Sequence, residues 1–227
     1  MTAALSALGL CKRYGDRPVL QDVSLTVAAG EFVAVTGPSG SGKTTLFHCL
    51  TRLVEPDAGE IFLGEKPLHG LRGSALAAAR REIGVVFQQF NLIRRRSAVA
   101  NVLAGRLGST PLWRVTAGWF AEADQMRAAA ALDAVGVTPQ SWQRADTLSG
   151  GQQQRVAIAR VLAQESRVLL ADEPVASLDP ESAVAILSLM RSLARSRGLA
   201  VICTLHQPEL ATRFADRVME MRTGRLC

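Results

Sequence analysis

Gly37-Pro38-Ser39-Gly40-Ser41-Gly42-Lys43-Thr44 follows directly on the apolar run Phe32-Val33-Ala34-Val35 and precedes Leu46, Leu50, Leu53 and Val54 at helical spacing. The order is strand, tight turn, helix, and it matches the phosphate-loop pattern G-x-x-x-x-G-K-[ST]. Glycines let the backbone curl until successive N–H groups face one anion, and the helix that follows adds the positive end of its dipole. Lys43 is then expected to reach the β- and γ-phosphates of a nucleotide, with the Thr44 hydroxyl on the Mg²⁺ that bridges them. The predicted cradle is Gly37, Pro38, Ser39, Gly40, Ser41, Gly42, Lys43, Thr44 and Thr45.

Further along, Val168-Leu169-Leu170-Ala171 is an apolar strand that ends in Asp172-Glu173. Mg²⁺ keeps several waters and takes few direct carboxylates, so Asp172 at a strand tip suits it. Glu173 is placed to polarise or deprotonate a water attacking a γ-phosphate. Between these pieces lies Leu148-Ser149-Gly150-Gly151-Gln152, ahead of a helical stretch through Val156, Ile158 and Leu162. Ser149 is an N-cap type of residue, and the glycines after it leave N–H groups open to an anion.

The rest of the chain fills in an α/β architecture. Alternation at Leu25 and Val27, and at Ile61 and Leu63, predicts a small antiparallel β layer near the front. The apolar runs Ile83 to Phe87, Val168 to Ala171, Ala200 to Thr204 and Val218 to Met221 read as buried strands of a mainly parallel sheet. Glu55-Pro56-Asp57-Ala58-Gly59 reads as the turn that stops the helix after the loop. The stretch from Gln89 to Leu148 reads as mainly helical, with Asp124 to Val135 closed by Gly136. The expected organisation is one domain over 1–227, with a catalytic core of 1–88 and 149–227 and a helical subdomain inserted at 89–148.

Composition narrows the class. A chain of 227 residues, 48% hydrophobic, is enough for one substantial core. No apolar run approaches the ~20 residues of a membrane span, and Met1-Thr2-Ala3-Ala4-Leu5 lacks the pattern of a secretory signal. A cytoplasmic protein is the expectation. Of 26 basic residues only Lys12, Lys43 and Lys66 are lysines, and one of the three occupies the phosphate position. The net charge of +6 permits nucleic acid or an anionic membrane as a neighbour, but the charges are scattered apart from Arg94-Arg95-Arg96, which reads as a solvated or partner-facing loop. Cys11, Cys49, Cys203 and Cys227 have no metal-type spacing and read as reduced structural thiols. His48 reads as packing rather than ligation.

Leu148-Ser149-Gly150-Gly151-Gln152 is similar to the signature of the ATP-binding cassette (ABC) family, and the other pieces resemble that family in the same order. The resemblance implies a P-loop NTPase core. Gln88 then corresponds to a glutamine that contacts Mg²⁺ or the attacking water and senses a partner protein, and Ser177-Leu178-Asp179 to the D-loop. His206 corresponds to the switch histidine on the γ-phosphate, and Tyr14 to the aromatic residue stacked on adenine. Asp179-Pro180-Glu181 is also a sound helix start, an acid at the N-cap followed by Pro. The family further implies a head-to-tail homodimer with ATP at its interface, where Ser149, Gly150, Gly151 and Gln152 of one subunit meet the nucleotide held by the other. Transmembrane permease subunits and, through them, a periplasmic-type substrate-binding protein are the implied partners. Nucleic acid is not expected, and the implied location is the cytoplasmic face of the inner membrane.

Within the family, Phe87-Gln88-Gln89-Phe90-Asn91-Leu92 is similar to importers of both amino acids and phosphonates, whereas Asn101-Val102-Leu103-Ala104-Gly105-Arg106-Leu107-Gly108 with Trp113, and Leu205-His206-Gln207, resemble the ATPases of phosphonate importers. The resemblance implies an ATPase that powers uptake of phosphonates, with phosphite or phosphate esters as an extension. ATPases of amino-acid importers and of lipid or lipoprotein exporters share the motifs and stay open as alternatives. A soluble non-transport ABC ATPase is disfavoured, since such proteins usually carry two cassettes or a long inserted arm. A non-transport P-loop kinase has no use for a signature at 148–152. One departure is that family members usually continue beyond the turn at Thr223-Gly224-Arg225 with a further strand and helix, so no added regulatory domain is expected here.

Overall fold

The computed structural model describes residues 3–116 and 118–227; Met1 and Thr2, the start of the stretch read for a secretory signal, lie outside them. In chain order the elements are β1 (Ala3–Tyr14), β2 (Arg17–Ala28), β3 (Phe32–Thr36), α1 (Lys43–Leu50), β4 (Ala58–Leu63), β5 (Lys66–Pro67), α2 (Gly73–Arg81) and β6 (Ile83–Val86). They are followed by α3 (Ala98–Leu103), α4 (Leu112–Thr116), α5 (Glu122–Ala134), α6 (Gly150–Ala163), β7 (Val168–Ala171), α7 (Pro180–Arg197), β8 (Ala200–Thr204), α8 (Pro208–Phe214), β9 (Arg217–Arg222) and β10 (Arg225–Leu226).

Two sheets result. One is antiparallel, in the order β2-β1-β4-β5; the other runs β10-β9-β3-β8-β7-β6 and is parallel except for the hairpin partner β10. Every residue of β3, β7 and β8 is buried. Because side chains alternate across a strand, each of these runs feeds two cores. Phe32, Ala34, Leu169, Ala171, Val201 and Cys203 face one cluster together with residues of α3, α5, α6 and α7. Val33, Val35, Leu170 and Ile202 face the other, shared with α1 and the antiparallel layer through Leu5, Leu10, Val23 and Ile61. A strand covered on both faces has no reason to alternate, which is why these read as continuous apolar runs.

Several sequence expectations are corrected. The first helix ends at Leu50: Arg52 adopts φ 55 and turns the chain back, leaving Leu53 56% exposed despite its helical spacing. The Arg80 guanidinium donates to the carbonyls of Thr51 and Arg52 and holds that reversal. Ala58 and Gly59 belong to β4 rather than to a turn. The run Val218 to Met221 is not a buried strand. It lies in β9, whose pattern is largely exposed, with Val218 43% exposed and Met221 buried. The long strand β1 had no clear alternation in the sequence because its pairing shifts register near Ala7 to Leu10 and again near Lys12, and Leu8 faces solvent. It is nonetheless the centre of the antiparallel layer, pairing with both β2 and β4.

The segment from α3 to α5 packs on α6 through Ala98, Val102, Ala128, Ala131 and Leu132. Arg106, 7% exposed, ties it to the core by donating to Asp124 Oδ1 at 2.8 Å, to the Ala163 carbonyl at 3.0 Å and to Glu165 Oε2 at 2.8 Å. All four cysteines are free; burial raises the Cys49 thiol to about 11 and pushes Cys203 well above the ordinary thiol value. Among the described residues no helix is long and apolar enough to cross a membrane.

Candidate functional site

The loop between β3 and α1 sits at the carboxyl end of the parallel strands, where open α/β sheets place their ligands. Gly37 and Gly42 are required by what surrounds them. A Cβ on Gly37 (φ 140) would lie 2.2 Å from the Met221 carbonyl oxygen, and one on Gly42 (φ 112) would lie 2.8 Å from that of Val19. Gly42 is the N-cap of α1, with no side-chain cap and no acid in the first turn, so the N–H groups of that end are left for an anion. Lys43 is 5% exposed and donates to the carbonyls of Gly37 at 2.8 Å and Pro38 at 3.0 Å. Ser41 Oγ is buried without a hydrogen-bond partner. A buried orphan hydroxyl in a glycine-walled curl beside a buried ammonium suits a ligand rich in oxygen.

One cavity of about 340 Å³ joins Ser39, Gly40, Gly42, Lys43, Thr44 and Thr45 of this loop to Tyr14, Arg17 and Val19 of the antiparallel layer and to Glu173. Tyr14 is 50% exposed, with the Lys12 ammonium 5.7 Å from its ring centroid. Lys12 is in turn bound to Asp57 at 2.7 Å, and Asp57 also accepts from the Arg13 N–H. The hydrogen bond from Lys12 and then the Arg13 N–H hold the Asp57 carboxyl below its ordinary value.

At the end of β7 the two acids are fixed by the neighbouring strand. Thr204 Oγ1 donates to Asp172 Oδ1 at 2.8 Å and accepts from the Glu173 N–H at 2.7 Å. Glu173 itself adopts φ 48, a conformation that costs a non-glycine residue about 1–3 kcal/mol and persists where surrounding bonds over-determine it. Its Oε1 lies 2.5 Å from His206 Nε2. His206 and Glu173 therefore form a pair across the tips of β7 and β8.

The remaining predicted positions lie elsewhere. Gln88, exposed just after β6, lines a separate cavity of about 630 Å³ with Gln89, Asn91, Arg94, Gln153 and Ser177. Ser149 caps α6 in a full capping box, accepting from the Gln152 N–H at 3.3 Å while Gln152 Oε1 accepts from the Ser149 N–H at 2.9 Å. Gly150 and Gly151 pack toward Leu178 and Ser182. Asp179 caps α7 by accepting from the Ser182 N–H at 2.9 Å, and the Ser182 side chain first, then that N–H, holds its carboxyl below the usual range. None of Ser149, Gly150, Gly151, Gln152 and Asp179 lines the Lys43 cavity. Arg94, Arg95 and Arg96 are all exposed.

Arg17 and Val19 were not legible as site residues, since they follow a turn in a strand with no motif of its own. Thr204 was legible only as the polar end of an apolar strand.

A mainly parallel sheet with a glycine-rich loop and paired acids at its carboxyl ends defines a P-loop nucleotide-binding protein. The chain belongs to the ABC transporter family, whose profile matches residues 20–176. It is 45% identical over 223 residues to the hypophosphite import ATP-binding protein HtxD of Stutzerimonas stutzeri, covering 98% of this chain and 65% of that protein, so it spans just under two thirds of that relative's length. It is 48% identical over 217 residues to the phosphonates import ATP-binding protein PhnC 1 of Rhodopseudomonas palustris (strain HaA2), covering 95% of this chain and 77% of that protein. Among solved structures, the dimeric post-hydrolysis state of the ATP-binding cassette MJ0796 bound to ADP and Pi superposes with a TM-score of 0.81 at 33% identity, over 98% of this chain and 96% of that one.

Proposed function

We propose that this chain is the ATP-hydrolysing subunit of a membrane ABC importer for phosphonates and related phosphorus oxyanions. The observation that carries the ATPase reading is the single cavity in which Tyr14, the Lys43 loop and Glu173 meet, with His206 on the Glu173 carboxylate. The relatives named for phosphonate and hypophosphite import support the substrate class.

In this reading the loop amides and Lys43 hold the phosphates, and Tyr14 stacks on the base. Thr44 and Asp172 would provide oxygen donors for Mg²⁺, a hard cation that fits hydroxyl, carboxylate and amide oxygens, and Gln88 would add its amide oxygen from the separate cavity it lines. Bound Mg²⁺ would supply charge neutralisation for the phosphates. Glu173 polarises or deprotonates the attacking water, and His206 orients that carboxylate and contacts the γ-phosphate. Holding these groups in place is most of what phosphoryl transfer asks of a protein.

Ser149, Gly150, Gly151, Gln152 and Asp179 do not line this cavity, and the reading gives them to the nucleotide of a second subunit in a head-to-tail dimer. Such a two-fold contact is isologous, and the dimeric ADP-bound relative supports it. Residues 89–148 form the helical subdomain, 1–88 and 149–227 the core, and the cavity beside Gln88 receives a permease helix. A periplasmic-type binding protein delivers substrate through the permease, and the subunit sits on the cytoplasmic face of the cell membrane.

The test is growth of the source organism with a chromosomal Lys43→Ala substitution, on methylphosphonate, phosphite or phosphate as sole phosphorus source. Growth lost on methylphosphonate and kept on phosphate is expected. Unimpaired growth on all three, in a strain without a redundant importer, overturns the substrate assignment.

A further inference from the structure

The geometry points to Thr204 as the residue that positions both acids of the site, a role that rests on the assignment of Asp172 and Glu173 given above. Thr204 is the last residue of β8 and is fully buried. Its strand lies between β3, which leads into the phosphate loop, and β7, which ends in the acids. The single hydroxyl does two things at once: it donates its proton to Asp172 Oδ1 at 2.8 Å and accepts the Glu173 N–H at 2.7 Å.

The two bonds have separate consequences. The first fixes the rotation of the Asp172 carboxylate, so that one oxygen is occupied and the other is left for a cation. Groups that orient a metal ligand in this way commonly change metal affinity or activity by about 10- to 100-fold when removed. The second holds the peptide of Glu173 in its left-handed conformation, φ 48. That conformation presents the carboxylate to His206 Nε2. A valine would fill the same volume, yet it would leave a buried N–H without this acceptor and free the Asp172 carboxylate to turn.

Serine keeps the hydroxyl and loses only a methyl group. Hydroxyl chemistry and packing are thereby separable: a purely structural role predicts that valine, which keeps the shape, is the milder change.

The experiment measures Mn²⁺ affinity by electron paramagnetic resonance, using ATP-loaded protein in a Glu173→Gln background so that hydrolysis does not intrude. ATP binding is measured separately without metal. Thr204→Val is expected to weaken Mn²⁺ about tenfold or more, with metal-free ATP binding unchanged and Thr204→Ser close to the parent. On the Glu173 background kcat is expected to fall about 10- to 100-fold at unchanged KM for ATP, again rescued by serine. If valine does not fold, Thr204→Ala removes the hydroxyl without adding a methyl group and reads the same way. Equal behaviour of Thr204→Val and Thr204→Ser, or unchanged Mn²⁺ affinity in Thr204→Val alongside weakened affinity in Asp172→Asn, overturns the role of Thr204 alone. Unchanged affinity in Asp172→Asn overturns the metal reading of the site and this inference with it.

Discussion

The loop at 37–45 and the signature at 148–152 are both glycine-bearing turns that open a helix, yet the fold treats them in opposite ways. The loop is walled in: the carbonyls of Met221 and Val19 stand where side chains of Gly37 and Gly42 would go, Lys43 is buried, and its helix has no side-chain cap. The signature is half-buried, with Ser149 exposed, and is already capped by its own Ser149 and Gln152. Its glycines meet side chains of Leu178 and Ser182, not backbone. An uncapped helix end inside a cavity is a site that one subunit completes, whereas a capped, exposed end has spare donors only for something brought to it from outside.

The sharpest way to break this contrast is to put the same change in both places. Gly37→Ala forces a Cβ onto a backbone carbonyl and an alanine into φ 140, a strain of about 2 kcal/mol or more. Loss of ATP binding and a lowered melting temperature are expected, read by isothermal calorimetry and circular dichroism. Gly151→Ala places its Cβ 3.3 Å from Ser182 Oγ, a side-chain atom that can turn away. Folding and single-subunit ATP binding are expected to survive, helped by the roughly 1 kcal/mol helix preference of Ala over Gly. The Gly151 N–H is kept, but the added methyl group holds the partner subunit's phosphate away from it, so hydrolysis is expected to fall about tenfold or more, the worth of one hydrogen bond to a charged group. Gly151→Ala that abolishes ATP binding by the monomer would show that the two regions are not distinct.

A weaker effect tests the frame that holds the loop from the other side. Asp57 anchors Lys12 and the Arg13 N–H next to Tyr14. Its folded carboxyl lies below the ordinary value of 3.8, so the pair contributes stability that is complete above that value and is lost as pH falls through the lower, folded one. Asp57→Asn is therefore expected to lower the melting temperature slightly at neutral pH, with the difference from the parent vanishing on the acid side of 3.8. An exposed pair of this kind is worth little, and a difference that persists in strong acid would assign the effect to packing instead.

Legibility followed the range of the interaction. The bounds of β7 and β8 were readable because burial on both faces turns them into unbroken apolar runs. Ser149 and Asp179 were readable because a cap bonds to residues three positions away. Leu53 misled, because helical spacing says nothing about a reversal held by Arg80 from α2. Strand β1 was missed because bulges break the period of two on which the reading depends. The exposed face of β9 was missed because how far a strand is covered depends on which elements pack over it, and no local pattern encodes that.

Local backbone demands are written in the sequence by itself: the glycines of a loop that must curl, the residues that cap a helix, and the apolar runs that must be covered. The tertiary structure alone decided that the space beside Gly37 belongs to Met221, that Arg17 and Val19 wall the cavity of Lys43, and that Thr204 bonds both acids. The reason is physical: φ, ψ and capping energies depend on neighbours in the chain, whereas contacts between strands far apart in sequence depend on the order and register in which the sheets assemble.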